Sequence, residues 1–88
     1  MTAQLDVPLE ARRAVLDSRP DVRLPDGRRL IADDLYVVWS VKVLGNWKAL
    51  VSTDAVPGYY WEVTFNGAKE ETYVDLYRKA RNTVLRGL

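Results

Sequence analysis

The sequence predicts an α+β fold: a three-stranded antiparallel β-meander with one helix before it and one after, in the order α-β-β-β-α. Three observations carry that prediction. Between Leu35 and Phe65, residue type alternates with period two in three successive runs, which is the period of strands. Turn-forming residues punctuate the runs at Gly45-Asn46, Pro57-Gly58 and Asn66-Gly67. The flanking segments carry apolar residues at helical spacing.

Taken in order, residues 1–6 read as a loose terminus. Asp6 is a suitable N-cap for a helix that starts at Val7 or Pro8 and runs to about Ser18. Its apolar residues are Leu9, Ala11, Ala14, Val15 and Leu16. Arg19-Pro20 ends it, because a residue before proline avoids helical angles. Residues 19–33 read as an irregular connection. It has a turn at Pro25-Asp26-Gly27, anchors at Leu24, Leu30 and Ile31, and room for a short extra strand.

The predicted strands are Leu35 to Val43, Trp47 to Thr53 and Tyr59 to Phe65. One sheet face then holds Leu35, Val37, Trp39, Val41 and Val43, with Trp47, Ala49, Val51, Tyr59, Trp61, Val63 and Phe65. It is apolar throughout and needs a cover. The other face mixes Tyr36, Val38, Ser40, Lys42, Lys48, Leu50, Ser52, Tyr60, Glu62 and Thr64. A two-residue loop at Gly45-Asn46 would pair Leu44 with Trp47 and set apolar residues opposite polar ones. A three-residue loop, Leu44-Gly45-Asn46, keeps Val43 opposite Trp47, with Asn46 left-handed. Pro57-Gly58 suits a type II turn.

From Lys69 to Arg86, the residues Tyr73, Leu76, Tyr77, Ala80 and Val84 share one helical face. Glu70 and Glu71 stand at the start, with Lys79, Arg81 and Arg86 toward the end, the order a helix dipole favours. Gly87 is a stop. Thr72, Val74 and Leu76 also alternate, so Glu71 to Tyr77 competes as a fourth strand. The expectation is the helix, packed on the tryptophan face with Tyr73, Leu76, Tyr77, Ala80 and Val84 in the core.

The length of 88 residues bounds the chain to one domain, 1–88. Its net charge of +1 gives no long-range field toward nucleic acid or an acidic partner. There is no cysteine and no histidine, so disulfides, thiolate metal sites and the commonest nucleophile and base are missing. No apolar run approaches the ~20 residues of a membrane span, and the N-terminus lacks a signal pattern. The expectation is a protein with no membrane partner.

Candidate chemistry is sparse. Asp33-Asp34 is the pair that invites a divalent cation, but neighbours in an extended chain point to opposite faces. Asp54 and Glu62 have no partner at a useful spacing, and no phosphate-binding or nucleophile-elbow motif occurs. No catalytic residue, metal site or cofactor is therefore assigned. Trp39, Trp47 and Trp61 suggest base-stacking platforms, yet all three share the face of the valines, which argues for core. Arg78, Lys79, Arg81 and Arg86 suggest a phosphate-binding stripe, diluted by Glu71 and Asp75.

The runs Asn46 to Thr53, Tyr60 to Gly67 and Glu71 to Lys79 resemble a family of small, uncharacterised proteins encoded by bacteriophages and prophages. The resemblance covers about residues 34–82. That family often has an acidic residue where this chain has Ala68, a departure in a turn. It brings no catalytic residues with it. It implies a phage accessory product acting in the cytoplasm of a bacterial host.

The function expected is non-enzymatic binding of a host or phage protein through the mixed sheet face. Tyr36, Val38, Leu50 and Tyr60 would form its patch, and Lys42, Lys48 and Glu62 its rim. The sequence leaves open whether the N-terminal helix covers that face, and whether the chain also forms a homo-oligomer. The alternative is a weak nucleic-acid binder using Arg78, Lys79, Arg81 and Arg86. A small metal-dependent enzyme is the third reading.

Overall fold

A computed structural model describes residues 6–87. The elements run α1 (Val7–Asp17), a single 3-10 turn (Ala32–Asp34), β1 (Leu35–Val43), β2 (Asn46–Thr53), β3 (Tyr59–Asn66) and β4 (Glu71–Arg78). The strands form one antiparallel sheet in the order β1-β2-β3-β4. The expectation for residues 1–6 lies outside the described residues except at Asp6.

Asp6 caps α1 as its position predicts: its carboxylate accepts from the Leu9 N–H at 3.1 Å. The helix ends before Pro20, with Arg19 in the left-handed region at φ 52°. Val7, Ala11 and Val15, one turn apart, form its buried stripe. Ala11 has no exposed surface and lets the helix backbone approach the sheet closely. In the connection, Arg23 and Arg29 form an isolated bridge across a tight turn, with Gly27 at φ 87°. Val22 and Leu30 are its buried anchors, while Ile31 is exposed.

Two features of the predicted architecture are overturned. No helix follows the sheet in the described residues; the segment predicted as a C-terminal helix forms β4 and then an irregular, exposed stretch. Tyr73, Leu76, Tyr77, Ala80 and Val84 are all exposed rather than in the core. Among the described residues the fold has one α-helix and four strands. The reason is tertiary. The Asn66 side chain accepts from the Ala68 and Lys69 N–H groups at 3.1 and 3.3 Å, and the turn sends the chain back along β3. β3 offers a full row of backbone partners, and Thr72, Tyr73, Val74 and Tyr77 suit a pleated surface. Ladder pairing with β3 outweighs a helical stripe that would still have needed a partner. The tryptophan face is covered by α1 instead.

The second correction lies within β1. Its register shifts between Val37 and Trp39, leaving Val38 as an unpaired bulge residue. Before the bulge, Leu35 and Val37 pair with Thr53 and Val51, on the helix side. After it, Trp39 pairs with Leu50 and Val41 with Lys48, on the opposite side. Trp39, Val41 and Val43 are therefore exposed on the open face, and Ser40 and Lys42 turn to the helix side. The bulge adds one residue to one strand, which inverts every later side chain. It also permits the two-residue turn: Val43 pairs with Asn46, not Trp47. Leu44, not Asn46, takes positive φ, at 56°.

The rest of the sheet follows the predicted alternation. Trp47, Ala49, Val51, Trp61 and Val63 are buried, with Val37, Phe65 and Val74 packed against them. Trp47 and Phe65 stack at 5.8 Å between ring centroids. Gly58 follows Pro57 at φ 91°, as a type II turn requires. Thr53, the one buried polar side chain among the described residues, ties β2 to the connection. Its hydroxyl donates to the Asp34 carbonyl at 2.7 Å and accepts from the Ala55 N–H at 3.1 Å.

Candidate interaction face

The sheet has one covered and one open face. Register sets the rows of the open face across the strands. One row is Tyr36, Ser52, Tyr60 and Tyr77; the next is Trp39, Leu50, Glu62 and Asp75; the third is Val41, Lys48, Thr64 and Tyr73. Among the described residues no element lies over these rows, since α1 packs on the other side.

Of the predicted patch, Tyr36, Val38 and Tyr60 are exposed and Leu50 is half-buried between its neighbours. The sequence reading missed Trp39, Val41, Val43, Tyr73 and Tyr77, which join them. Trp39 is 44% exposed, a large surface for a tryptophan in a domain of this size. Tyr60 and Tyr77 stack across β3 and β4 with centroids 5.0 Å apart and planes 9° from parallel. The stack holds both rings in place, so contact with them costs little side-chain entropy. The Tyr36 hydroxyl lies 3.4 Å from Asp54.

The predicted rim also changes. Lys42 faces the helix side and does not border the patch. Lys48 and Glu62 lie on the two central strands, joined by a 3.1 Å ion pair. Tyr36, Trp39, Val41 and Leu50 lie toward the β1 side of that pair, and Tyr73 and Tyr77 toward the β4 side. Asp75 is the direct cross-strand neighbour of Glu62. Like charges directly opposite destabilise a sheet, so this row offers a place for an outside cation. The Tyr73 hydroxyl donates to Glu71, which pushes the phenol pKa above its ordinary value.

The basic residues do not form the predicted stripe. Arg78 ends β4 with its guanidinium 5.9 Å from the centre of the Tyr59 ring. Lys79, Arg81 and Arg86 follow in the exposed segment beyond the sheet. The helix that would have aligned them is absent.

Of the pair Asp33-Asp34, Asp34 is tied into the connection that precedes β1. Arg28 grips the Asp34 carboxylate with two nitrogens, each at 3.0 Å, and the Ile31 N–H donates to it at 2.8 Å. The Arg28 guanidinium first, and the Ile31 N–H second, hold the Asp34 pKa below the ordinary value; the same contact raises that of Arg28. Among the described residues no three His, Cys, Asp or Glu side chains converge as a metal site would need. Nor is any helix there long and apolar enough to cross a membrane. A groove between α1 and the start of β4 is lined by Glu10, Arg13, Asp17, Ser18, Trp47 and Thr72. Its charges alternate in sign, and none of those ionisable side chains is buried.

The profile of a family of unknown function, DUF6275, matches residues 11–87. The match reaches well beyond the 34–82 stretch that carries the resemblance, and takes in most of α1. No curated protein and no solved structure matches the chain.

Proposed function

The chain belongs to the DUF6275 family, and from that premise we propose that it is a non-enzymatic interaction protein that binds another protein through the open face of its sheet. The observation that supports this reading is the bulge at Val38. It turns Trp39, Val41 and Val43 out of the core and beside Leu50, Tyr36 and Tyr60. A contiguous exposed apolar surface with aromatic anchors is the mark of a partner site, whereas scattered apolar residues are not.

The chemistry of the partner follows from the charges. The face carries Glu62, Asp75 and Glu71 against Lys48. A partner with an apolar contact surface and an arginine or lysine near its centre would relieve the Glu62–Asp75 apposition and cover Trp39. The same excess of carboxylates disfavours phosphate, so nucleic acid is not the ligand of this face. The setting we adopt is the one the resemblance implies: a phage or prophage accessory product that meets a host or phage protein in the bacterial cytoplasm.

The test is affinity capture from host lysate with the wild-type chain and two variants, Trp39→Ser and Tyr60→Ala. A protein recovered by the wild type in moderate salt, lost with both variants, and identified as having a basic residue within an apolar surface supports the reading. Recovery that persists in both variants, or that disappears on nuclease treatment, overturns it.

A further inference from the structure

The two edges of the sheet are built differently. β1 carries the bulge at Val38, and beyond it Lys42 turns to the helix side. Bulges and inward charges are the devices by which edge strands avoid pairing with other chains. β4 has neither. It pairs with β3 along its whole length without a register shift, from Asn66↔Glu71 to Tyr59↔Arg78. It contains no proline and no lysine. Its apolar side chains are open on both faces, Leu76 at 46% on the helix side and Tyr73 at 44% on the other.

The backbone of that edge can be assigned. The Lys79 N–H donates to the Gly58 carbonyl at 2.7 Å. Groups of an antiparallel strand alternate in direction, so odd-numbered residues of β4 address β3. The N–H and C=O groups of Thr72, Val74, Leu76 and Arg78 therefore point to the free edge, where no strand meets them among the described residues.

The charges say what fits there. The strand begins after Glu70 with Glu71 and ends at Arg78, followed by Lys79. An antiparallel copy of the same strand sets the acidic start against the basic end. We propose that the chain self-associates through β4, which pairs antiparallel with β4 of a second copy about a two-fold axis at Val74. That register brings the turn residue Glu70, at φ 52°, beside the Arg78 end of the second copy and exchanges hydrogen bonds between Thr72 and Leu76. It sets Asp75 against Tyr73, so that no aspartate faces its own copy. Pairing about Asp75 instead would set two aspartates together, which is unfavourable. The axis stands perpendicular to the sheet, so the open faces of both copies lie on the same side. This inference is independent of what the open face binds.

Sedimentation equilibrium of the full chain, with light scattering, tests it. The wild type is expected to be a dimer that dissociates on dilution. Thr72→Pro removes an N–H that points away from β3, so it should give a monomer with an unchanged circular dichroism spectrum. Arg78→Glu should weaken the dimer about tenfold, in line with like-charged pairs opposing each other twice in a two-fold. The double variant Glu70→Arg/Arg78→Glu should restore it. Because the chain has no cysteine, Val74→Cys introduces a single thiol, which should cross-link to its copy on mild oxidation. The opposed Cα atoms, about 5.5 Å apart, are within disulfide reach. A wild-type monomer at the highest soluble concentration overturns the proposal. So does a dimer that survives Thr72→Pro and Arg78→Glu but is lost with Trp39→Ser, which would assign self-association to the open face.

Discussion

The covered and open faces of the sheet are made from the same strands and nearly the same residue types, yet they do opposite work. Under α1, tryptophan and valine side chains interlock with Ala11 and Val15, and Trp61 is 1% exposed. On the open face, tryptophan, valine and tyrosine have no element over them among the described residues. Hydrophobicity alone does not separate the two sets. What separates them is a one-residue irregularity in β1, so the difference teaches that apolar character marks a surface to be covered without saying by what.

Substitutions that treat the two faces alike should therefore have unequal effects. The largest is expected at Trp61→Ala, which should cost about 3–5 kcal/mol, the usual loss for a large buried aromatic. That is a large part of the ~5–15 kcal/mol that keeps a domain folded. Urea denaturation measures it; a loss under 1 kcal/mol would mean that α1 does not seal this face. The indole N–H of Trp61 is buried with no hydrogen-bond partner. Trp61→Phe should accordingly cost clearly less than Trp61→Ala, since it relieves an unsatisfied donor.

Next in size is Thr53→Val, which preserves shape and removes a hydroxyl bonded to the Asp34 carbonyl and the Ala55 N–H. About 1–3 kcal/mol should be lost, because buried partners are left unmatched. Gly67→Ala probes the end of the sheet where the two hairpin turns meet. Any Cβ there would collide with the Gly45 carbonyl, and the Gly67 N–H bonds the Asn46 side chain at 2.9 Å. We expect a lower melting temperature for this variant and little change for Gly45→Ala, whose Cβ meets nothing.

On the open face, Trp39→Ser should shift stability by no more than about 0.5 kcal/mol, as surface changes do. The same denaturation series that detects Trp61→Ala should barely register it. A loss comparable to that of Trp61→Ala would show that Trp39 lies in the core and that the bulge does not exist.

The smallest effect is a pH dependence in the connection between α1 and β1. The Asp34 carboxyl is held below its ordinary value by Arg28 and the Ile31 N–H. A depressed folded pKa contributes stability that is fully present above the unfolded value of 3.8 and lost as pH falls through the folded one. Arg28→Ala should flatten the acid limb of the melting-temperature profile and leave the neutral region little changed. An acid limb identical to that of the wild type would remove the ion pair from the account.

Much of the fold was legible in the chain. Asp6 and Pro8 mark the helix start, Arg19-Pro20 its end, and Pro57-Gly58 and Asn66-Gly67 the turns, because caps and turns depend on local backbone geometry. Tyr36, Leu50 and Tyr60 were legible as open-face residues for a similar reason: the helix side of the central strands is unmistakably apolar. Trp39, Val41 and Val43 were not, because an apolar residue carries no mark of the face it occupies. Nor did the turn announce the bulge, because the pair that forms it, Leu44-Gly45, puts the positive φ on leucine rather than on glycine.

The amino-acid sequence by itself determined the N-terminal helix, the first three strands, the turn at Pro57-Gly58, and the absence of thiol and imidazole side chains, since each rests on residue type or on spacing within a few positions. Only the tertiary structure decided the two matters on which function turns. The segment after Gly67 became a strand because the free edge of β3 supplied backbone partners that no local pattern encodes. Half of β1 turned outward because register is settled between strands, where two paired residues must share a face, and a single inserted residue reverses that choice for all that follow.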